Sequence, residues 1–372
     1  MLLSRRRAPR RGSGARRVWW FRRLTRTDSA QRPVVPGAAI FAWERTSAAW
    51  LHGGRATSGL VRTRSLGKTG LEVTELALGT WGLSGDAYGP VAREDAEKVV
   101  ARAVELGVTL FETSDAYGRG AAEEILCAQL AASPDAVVVT KLGTDRASEP
   151  ARKRFDPAWL REAAARSAER LGRAPVALLH NPTASAVSLG EATGALAELA
   201  ASGTLRSWGV SAGDADVARA ALAAGAPVLE VAYNAFHVAD LHPLTAAIAE
   251  AGAGLLARSV LAHGLLAGMW RIDRVFAEHD HRSQRWAKDE LRTRIMQLGA
   301  LRPLVSKDVL TLRAVALRFV LANDLVSSAV IGPRSVMQLE QLAREAGKGP
   351  PYLLDAALAR LPDDLERLGL AW

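Results

Sequence analysis

The chain has 372 residues, of which 49% are hydrophobic and 23% are charged, a composition that excludes global disorder and allows one large domain or two ordinary ones. No apolar run reaches the roughly 18–20 residues that a membrane helix needs, and a single cysteine, Cys127, excludes an internal disulfide framework. Residues 1–60 hold thirteen arginines and two acids, whereas residues 61–372 hold 35 basic and 37 acidic residues, so the net charge of +9 belongs to the N-terminal segment. Because nucleic-acid-binding domains carry positive charge on their folded part, neither a nucleic-acid partner nor a membrane partner is expected.

Residues 1–60 are predicted to form a disordered basic leader in front of one folded domain, residues 61–372. An organelle transit peptide would explain the many arginines and few acids. A twin-arginine export signal would explain Arg22 and Arg23 before the apolar segment Val34–Trp43, although Pro36 interrupts that segment. The interpretation that the composition favours is sequence upstream of a translation start near Val61.

From Arg62 onward, short apolar runs alternate with helical patterns. Residues 64–73 predict a β-hairpin around Gly67–Gly70. Eight later runs predict strands, namely Glu75–Leu78, Thr109–Glu112, Val137–Lys141, Val176–His180, Trp208–Ser211, Leu229–Tyr233, Gly254–Ala257 and Ser328–Ile331. These runs are continuously apolar, which is typical of parallel strands that helices cover on the outside.

Helix boundaries are marked by capping residues. Asp156 followed by Pro157 predicts a helix start, and Gly172 predicts its end. Residues 93–106, followed by Gly107, repeat this arrangement. Such an alternation of strands and helices predicts an α/β fold, a (β/α)8 TIM barrel with an N-terminal β-hairpin and a long insertion before the last strand.

A doubly wound Rossmann sheet is the alternative architecture. Its only support is the pair Gly118 and Gly120 after the second predicted strand. A dinucleotide-binding fingerprint requires a third small residue where Glu123 stands, and it belongs on the first strand.

Polar side chains stand at or just beyond the ends of four successive predicted strands: Glu112 and Tyr117, Lys141, His180 and Ser211. In a barrel these strand ends meet at one rim, where active sites lie. An ammonium group stabilises a nearby phenolate, a carboxylate keeps the lysine charged, and a histidine can hold a carbonyl oxygen. This set of groups is suited to protonating an alkoxide as a hydride arrives.

At these residues the sequence resembles the aldo-keto reductase superfamily, from about Arg64 to about Glu345. The similarity lies in the segments 66–73 (LGKTGLEV), 78–82 (LGTWG), 111–118 (FETSDAYG), 140–141 (TK), 179–182 (LHNP) and 209–211 (GVS). The resemblance implies a (β/α)8 barrel, a nicotinamide cofactor bound without a Rossmann fold, and interconversion of a carbonyl and an alcohol.

The resemblance also implies catalytic roles. Tyr117 would be the general acid/base, Lys141 the group that lowers its pKa, and His180 the group that orients the carbonyl. Glu112 takes the position of the family's aspartate; it is one methylene longer but keeps the charge for a salt bridge to Lys141. Asp115 does not occupy a matching position and is expected to be structural.

Ten positions match the family's cofactor-binding regions: Thr80, Trp81, Ser211, Glu230, Arg258, Ser259, Leu261, Gly264, Arg334 and Gln338. Three residues depart from the common pattern, since Ala212 replaces an asparagine, Glu230 a glutamine and Arg258 an aromatic residue. Arg334 would suit a 2′-phosphate because its guanidinium can pair bidentately with phosphate oxygens. NADP(H) is therefore expected as the cofactor rather than NAD(H).

The insertion, residues 262–308, is expected to act as a flap on the substrate side. Trp270 and Trp286 would cover the pocket, and Trp81 with Tyr88 would line the opposite wall. The segment His279–His281 offers two histidines but no nearby third ligand, so no metal site is expected.

The expected function is that of an NADP(H)-dependent oxidoreductase acting on an aldehyde, ketone or sugar. A nucleotide-binding sensor or partner subunit with vestigial activity is the alternative, motivated by Glu112 and the altered cofactor contacts. An inert scaffold barrel is disfavoured because Tyr117, Lys141 and His180 are all present. We expect a cytoplasmic protein with a small-molecule substrate, as a monomer or small homo-oligomer.

Overall fold

The computed structural model of the protein describes residues 61–347 and 349–370. The predicted leader, residues 1–60, lies outside the described residues.

Eight parallel strands close into a barrel in which each strand pairs with its neighbours in the sequence and the last pairs with the first. They are β1 (Leu76–Gly79), β2 (Leu110–Ser114), β3 (Val137–Leu142), β4 (Val176–His180), β5 (Ser207–Ser211), β6 (Val228–Ala232), β7 (Gly254–Arg258) and β8 (Val326–Ile331). All eight predicted strands are present, with ends displaced by two residues at most. The predicted TIM barrel is confirmed, and the Rossmann alternative is wrong because the sheet is closed.

One principal helix follows each strand on the outside of the barrel. These helices are α1 (Arg93–Glu105), α2 (Ala121–Leu130), α3 (Pro157–Leu171), α4 (Glu191–Ala201), α5 (Ala215–Ala223), α6 (Thr245–Ala251), α7 (Leu312–Leu321) and α8 (Val336–Ala346). The predicted cap of α3 is present, since the Asp156 side chain accepts a hydrogen bond from the Trp159 amide at 3.0 Å and Gly172 has a left-handed φ of 63°. Within the described ranges, no helix is long and apolar enough to cross a membrane.

The N-terminal end of the barrel is closed by the predicted hairpin. Its strands, Thr63–Ser65 and Glu72–Thr74, pair antiparallel around a short 3₁₀ turn, Gly67–Thr69. Leu66 is fully buried there and packs against Gly254 at the start of β7. The opposite, C-terminal end of the barrel is therefore the end at which a site can open.

The long insertion lies between β7 and α7 at that C-terminal end. It contains three 3₁₀ segments and one helix, namely Ala262–Ala267, His281–Gln284, Lys288–Gln297 (the helix) and Leu298–Leu304.

Short elements also occur elsewhere in the described part of the chain. They are Trp81–Leu83, Tyr117–Gly120, Thr144–Asp145, Arg152–Lys153, Ala184–Ser188, His242–Leu244, Asp355–Leu358 and Leu361–Arg367.

Strands β5 and β6 approach so closely at Gly209 that no side chain fits. A Cβ at this position would lie 2.0 Å from the carbonyl oxygen of Val228 and 2.9 Å from Leu178 Cδ2. We predict that Gly209→Ala lowers the free energy of unfolding by about 2–3 kcal/mol, because the strands must separate. Urea unfolding followed by circular dichroism measures this change.

Gly194 provides the matched control, because it lies inside α4 and a Cβ added there would have no other atom within 4 Å. Gly194→Ala should raise the free energy of unfolding by about 0.5–1 kcal/mol through helix propensity. Equal effects of the two substitutions would contradict the close approach of β5 and β6.

Candidate active site

The predicted catalytic residues Glu112, Lys141 and Tyr117 lie together inside the C-terminal end of the barrel. Glu112 is on β2, Lys141 is on β3, and Tyr117 begins the turn after β2. The Lys141 ammonium donates a hydrogen bond to a Glu112 carboxylate oxygen and lies 5.1 Å from the centre of the Tyr117 ring. Glu112 and Lys141 are each only 3% exposed, so their interaction is shielded from water.

A second carboxylate approaches the same lysine. Glu230 on β6 is fully buried, and its Oε2 lies 3.5 Å from Lys141 Nζ. The two carboxylates therefore hold Lys141 between them, across the interior of the barrel.

Burial, and the presence of two carboxylates around one ammonium group, determine the pKa values of Glu112, Lys141 and Tyr117. Burial raises the pKa of Glu112 to about 7; the charge of Lys141 opposes this shift and that of Glu230 adds to it. Burial by itself would lower the pKa of Lys141, but the two carboxylates together raise it above its ordinary value. The pKa of Tyr117 is raised by burial, and the nearby lysine charge offsets part of that rise.

His180, at the end of β4, stands at the edge of this buried group. Its ring lies 6.1 Å from the Tyr117 ring in an edge-on arrangement, and its Nδ1 lies 3.2 Å from the hydroxyl oxygen of Ser114. The pKa of His180 lies well below its ordinary value because of burial and then because of the neighbouring cations, chiefly Lys141. His180 is therefore neutral at neutral pH.

Two residues that fix His180 were not found from the sequence. The Ser114 hydroxyl donates to the Lys141 carbonyl oxygen at 2.8 Å and so links the histidine to β3. Lys153 donates to the His180 carbonyl oxygen at 2.7 Å. Ser114 lies inside the segment 111–118 that carries the resemblance, which was an available signal, whereas nothing in the sequence distinguishes Lys153.

Ser211, Glu230 and Arg258 form a polar row along neighbouring strands. The Ser211 hydroxyl donates to Glu230 Oε2 at 2.5 Å, and Arg258 donates to the Ala212 carbonyl oxygen at 2.8 Å. The other Glu230 oxygen, Oε1, is buried and has no hydrogen-bond partner among residues 61–347 and 349–370.

The loop after β7 has an unusual backbone. Ser259 and His263 have positive φ values of 58° and 59°, and Gly264 follows with 97°. A left-handed residue next to a right-handed one can turn successive backbone N–H groups toward one side, which is an arrangement that binds anions. Asn234 donates to the Ser259 carbonyl oxygen at 3.0 Å and holds the start of this loop; Leu261, the remaining predicted cofactor residue here, accepts from the Gly264 amide.

Arg334 and Gln338 lie at the start of α8. The Arg334 guanidinium donates to the carbonyl oxygens of Gly82, at 3.3 Å, and Gly89, at 2.9 Å, so it ties this end of the barrel to the loop after β1. Gln338 accepts from the Arg334 amide at 2.9 Å. Arg334 also borders a shallow cavity of about 330 Å³ together with Lys98, a basic residue that was not identified from the sequence.

Thr80 and Trp81 begin the loop after β1. The Thr80 amide donates to the Glu112 carbonyl oxygen at 2.9 Å, and its hydroxyl donates to Thr113 at 2.8 Å. The Trp81 ring stacks near Tyr117, with centroids 6.3 Å apart. These contacts place Trp81 beside Tyr117.

The insertion docks onto the same loop through His281 and Arg282. The His281 ring lies 4.7 Å from Trp81, and its amide donates to the Ala87 carbonyl oxygen at 3.0 Å. Arg282 lies 4.8 Å from the centre of the Tyr88 ring. Burial lowers the pKa of His281 to about 4, so this contact is uncharged on the histidine side.

The two tryptophans expected to cover the pocket belong to the insertion and lie close to this contact. Trp270 and Trp286 pack against each other with centroids 5.8 Å apart, and Trp286 lies 6.3 Å from His263. In the segment His279–His281, the central Asp280 carboxylate is engaged by Arg282.

A model of the Aldo/keto reductase family matches residues 75–346. The chain belongs to this family. Aldo/keto reductases are oxidoreductases that act on carbonyl or alcohol substrates and generally bind nicotinamide cofactors, and the resemblance seen in the sequence is thereby confirmed.

Two curated relatives of this aldo/keto reductase are dehydrogenases. Pyridoxal 4-dehydrogenase of Microbacterium luteolum is 27% identical over 75% of this chain and 91% of its own length. L-galactose dehydrogenase of Arabidopsis thaliana is 29% identical over 76% of this chain and 86% of its own length.

Solved structures give the same family relationship. A glycerol dehydrogenase from Gluconobacter oxydans superposes with a TM-score of 0.71 at 26% identity, covering 82% of this chain and 95% of that one. The holo form of an aldo-keto reductase from Bacillus halodurans has a TM-score of 0.66 at 22% identity, covering 83% of this chain and 96% of that one, and supports the fold.

Asp115, next to the site, makes stability depend on pH. Burial raises its pKa to about 7, above the value of about 3.9 for an unfolded chain. The folded state therefore binds the proton more tightly between pH 4 and 7, so the free energy of unfolding falls as the pH rises through this window. We predict that Asp115→Asn is about 1–3 kcal/mol more stable than the wild type at pH 8 and equal to it at pH 4.

Urea unfolding at several pH values measures this difference. Asp216→Asn, on the exposed surface of α5, is the control and should follow the wild type at every pH. Parallel curves for the wild type and Asp115→Asn would contradict the prediction.

Proposed function

We propose that the protein is an NADP(H)-dependent oxidoreductase that interconverts a carbonyl and an alcohol, with Tyr117 as the general acid/base. The observation that carries the proposal is the buried contact series from Glu112 through Lys141 to the Tyr117 ring, with neutral His180 beside that ring. It combines a proton donor, a cation that stabilises its phenolate, and a neutral group for a carbonyl oxygen.

When bound, a nicotinamide cofactor supplies or accepts the hydride. In reduction, Tyr117 gives its phenolic proton to the substrate oxygen while the carbonyl carbon gains the hydride, and water later returns the proton. Lys141 stabilises the phenolate formed in this step, and Glu112 keeps the lysine charged and in place. His180 orients the carbonyl through a ring nitrogen. Alcohol oxidation uses the same groups in reverse.

The residues present fit such a cofactor. The unpaired, buried Glu230 Oε1 requires a hydrogen-bond donor, which the amide of a nicotinamide provides. The loop Ser259–Gly264 presents left-handed backbone suited to a pyrophosphate. Lys98 and Arg334 beside the start of α8 are suited to a further phosphate, which supports NADP(H).

The walls of the pocket favour an uncharged organic carbonyl or a sugar-derived substrate. Trp81, Tyr88 and His281 contribute aromatic surface, and burial keeps His281 neutral and raises the pKa of Tyr88 to about 12. The three dehydrogenases among the named relatives act, according to their names, on pyridoxal, L-galactose and glycerol, which are small polar alcohols or aldehydes.

A cytoplasmic location and a monomeric or small homo-oligomeric state complete the proposal. The single cysteine, Cys127, is free and supports a reducing compartment. The partner expected is the small-molecule substrate alone.

Tyr117→Phe tests the proton-transfer role. We expect kcat to fall by about 10²–10⁴, because the phenolic proton is lost, while the Kd for NADPH changes less than about twofold. Absorbance at the nicotinamide band measures turnover on a panel of aldehydes, ketones and aldoses, and fluorescence quenching measures binding. Turnover at the wild-type rate would remove Tyr117 from its role, and tight binding without turnover in the wild type would favour a sensor.

Arg334→Met tests the preference for NADP(H). We expect the ratio of the Kd for NADPH to that for NADH to rise by about tenfold, the equivalent of about 1.4 kcal/mol, because only NADPH carries the extra phosphate. Using the ratio separates this effect from any loosening of the loop after β1. Arg344→Met, on the exposed side of α8, removes the same charge and should leave the ratio unchanged; an unchanged ratio in Arg334→Met would contradict the assignment.

A further inference from the structure

The buried site holds two carboxylates for one ammonium group. Lys141 lies beside the Tyr117 ring, and Glu112 accepts a hydrogen bond from that lysine. Glu230 adds a second carboxylate 3.5 Å from Lys141 Nζ, fully buried, with one oxygen satisfied by Ser211 and the other without a partner in the part of the chain that the structure describes.

The surrounding side chains do not neutralise the negative charge of this second carboxylate. Arg258 is a further cation that acts on Glu112, but it is half-buried and donates to the Ala212 carbonyl oxygen rather than to a carboxylate. Its influence on the pKa of Glu112 ranks below those of Lys141 and Glu230. His180 is neutral and the Tyr117 phenol is uncharged, so neither adds positive charge.

A buried carboxylate that has no positive charge to balance it is stabilised either by taking up a proton or by a nearby cation. Burial, and to a lesser degree the charge of Glu230, raises the pKa of Glu112 to about 7, which corresponds to the first of these effects. The second effect becomes available when a positively charged ligand enters the site.

A nicotinamide ring carries one positive charge when oxidised and none when reduced. In the proposed reaction the hydride reaches a carbon whose bonded oxygen exchanges a proton with Tyr117. The ring must therefore stand close to Tyr117, and so close to the carboxylates on either side of Lys141.

We propose that Glu230 makes the site bind the oxidised nicotinamide cofactor more tightly than the reduced one. The carboxylate attracts the positive ring, while its free oxygen accepts a hydrogen bond from the cofactor's amide in either redox state. The charge therefore distinguishes the two states, and the hydrogen bond does not. This inference rests on the proposed function.

Equilibrium binding of NADP⁺ and of NADPH to the full-length protein tests the inference without any turnover. Calorimetry gives both Kd values for the wild type, for Glu230→Gln, which removes the charge at constant size, and for Glu230→Asp, which keeps it. Glu162→Gln, on the exposed face of α3, controls for loss of a remote negative charge.

In Glu230→Gln, we expect the ratio of the Kd for NADP⁺ to that for NADPH to rise by about tenfold. Glu230→Asp and Glu162→Gln should each keep the wild-type ratio within about twofold. If Glu230→Gln weakens or strengthens both nucleotides equally, the inference is wrong although the proposed function stands. If neither nucleotide binds the wild type, the proposed function fails as well.

A second measurement needs only the wild type, in case Glu230→Gln does not fold. Titration at pH 7 in two buffers of different ionisation enthalpy reports protons released on binding. NADP⁺ should release protons, because its positive charge displaces the proton that the Glu112, Lys141 and Glu230 group holds, and NADPH should release fewer. Equal release with both nucleotides would overturn the inference.

Discussion

The site depends on one buried ammonium group held by two carboxylates. Without Lys141, Glu112 and Glu230 would both be buried without the cation that now lies beside them. The lysine therefore fixes the distance between β3, β2 and β6 at the C-terminal end of the barrel, and it also sets the electrostatic environment of Tyr117. The same side chain thus holds three strands together and determines the charge environment of Tyr117.

The barrel makes this arrangement possible because its strands run parallel, so that their C-terminal ends meet at one rim. Glu112 pairs with Val139 on β3, and Lys141 lies two residues further along that strand. Their side chains consequently point into the same interior layer, where they meet Glu230 from the opposite side. The N-terminal end is closed by the fully buried Leu66.

The sequence was sufficient to predict the strands and the residues at their ends, because continuous apolar runs stop where a polar side chain reaches the rim. Tyr117, Lys141 and His180 were identified in this way. Contacts across the barrel or between distant loops were not accessible: the pairing of Glu230 with Lys141 depends on barrel closure, and the bonds from Arg334 to the Gly82 and Gly89 carbonyl oxygens join segments about 250 residues apart. Contacts between distant segments produce no recognisable pattern in the local sequence.

The contact between the insertion and the loop after β1 is made of aromatic rings, one guanidinium, one backbone hydrogen bond and one side-chain hydrogen bond, between Tyr88 and His263. His281 and Arg282 meet Trp81 and Tyr88 there, and Asp280 pairs with Arg282 within the insertion itself. Among the described residues no ion pair crosses this contact, so dissolved salt has little to screen. The strength of this contact should accordingly depend on temperature far more than on ionic strength.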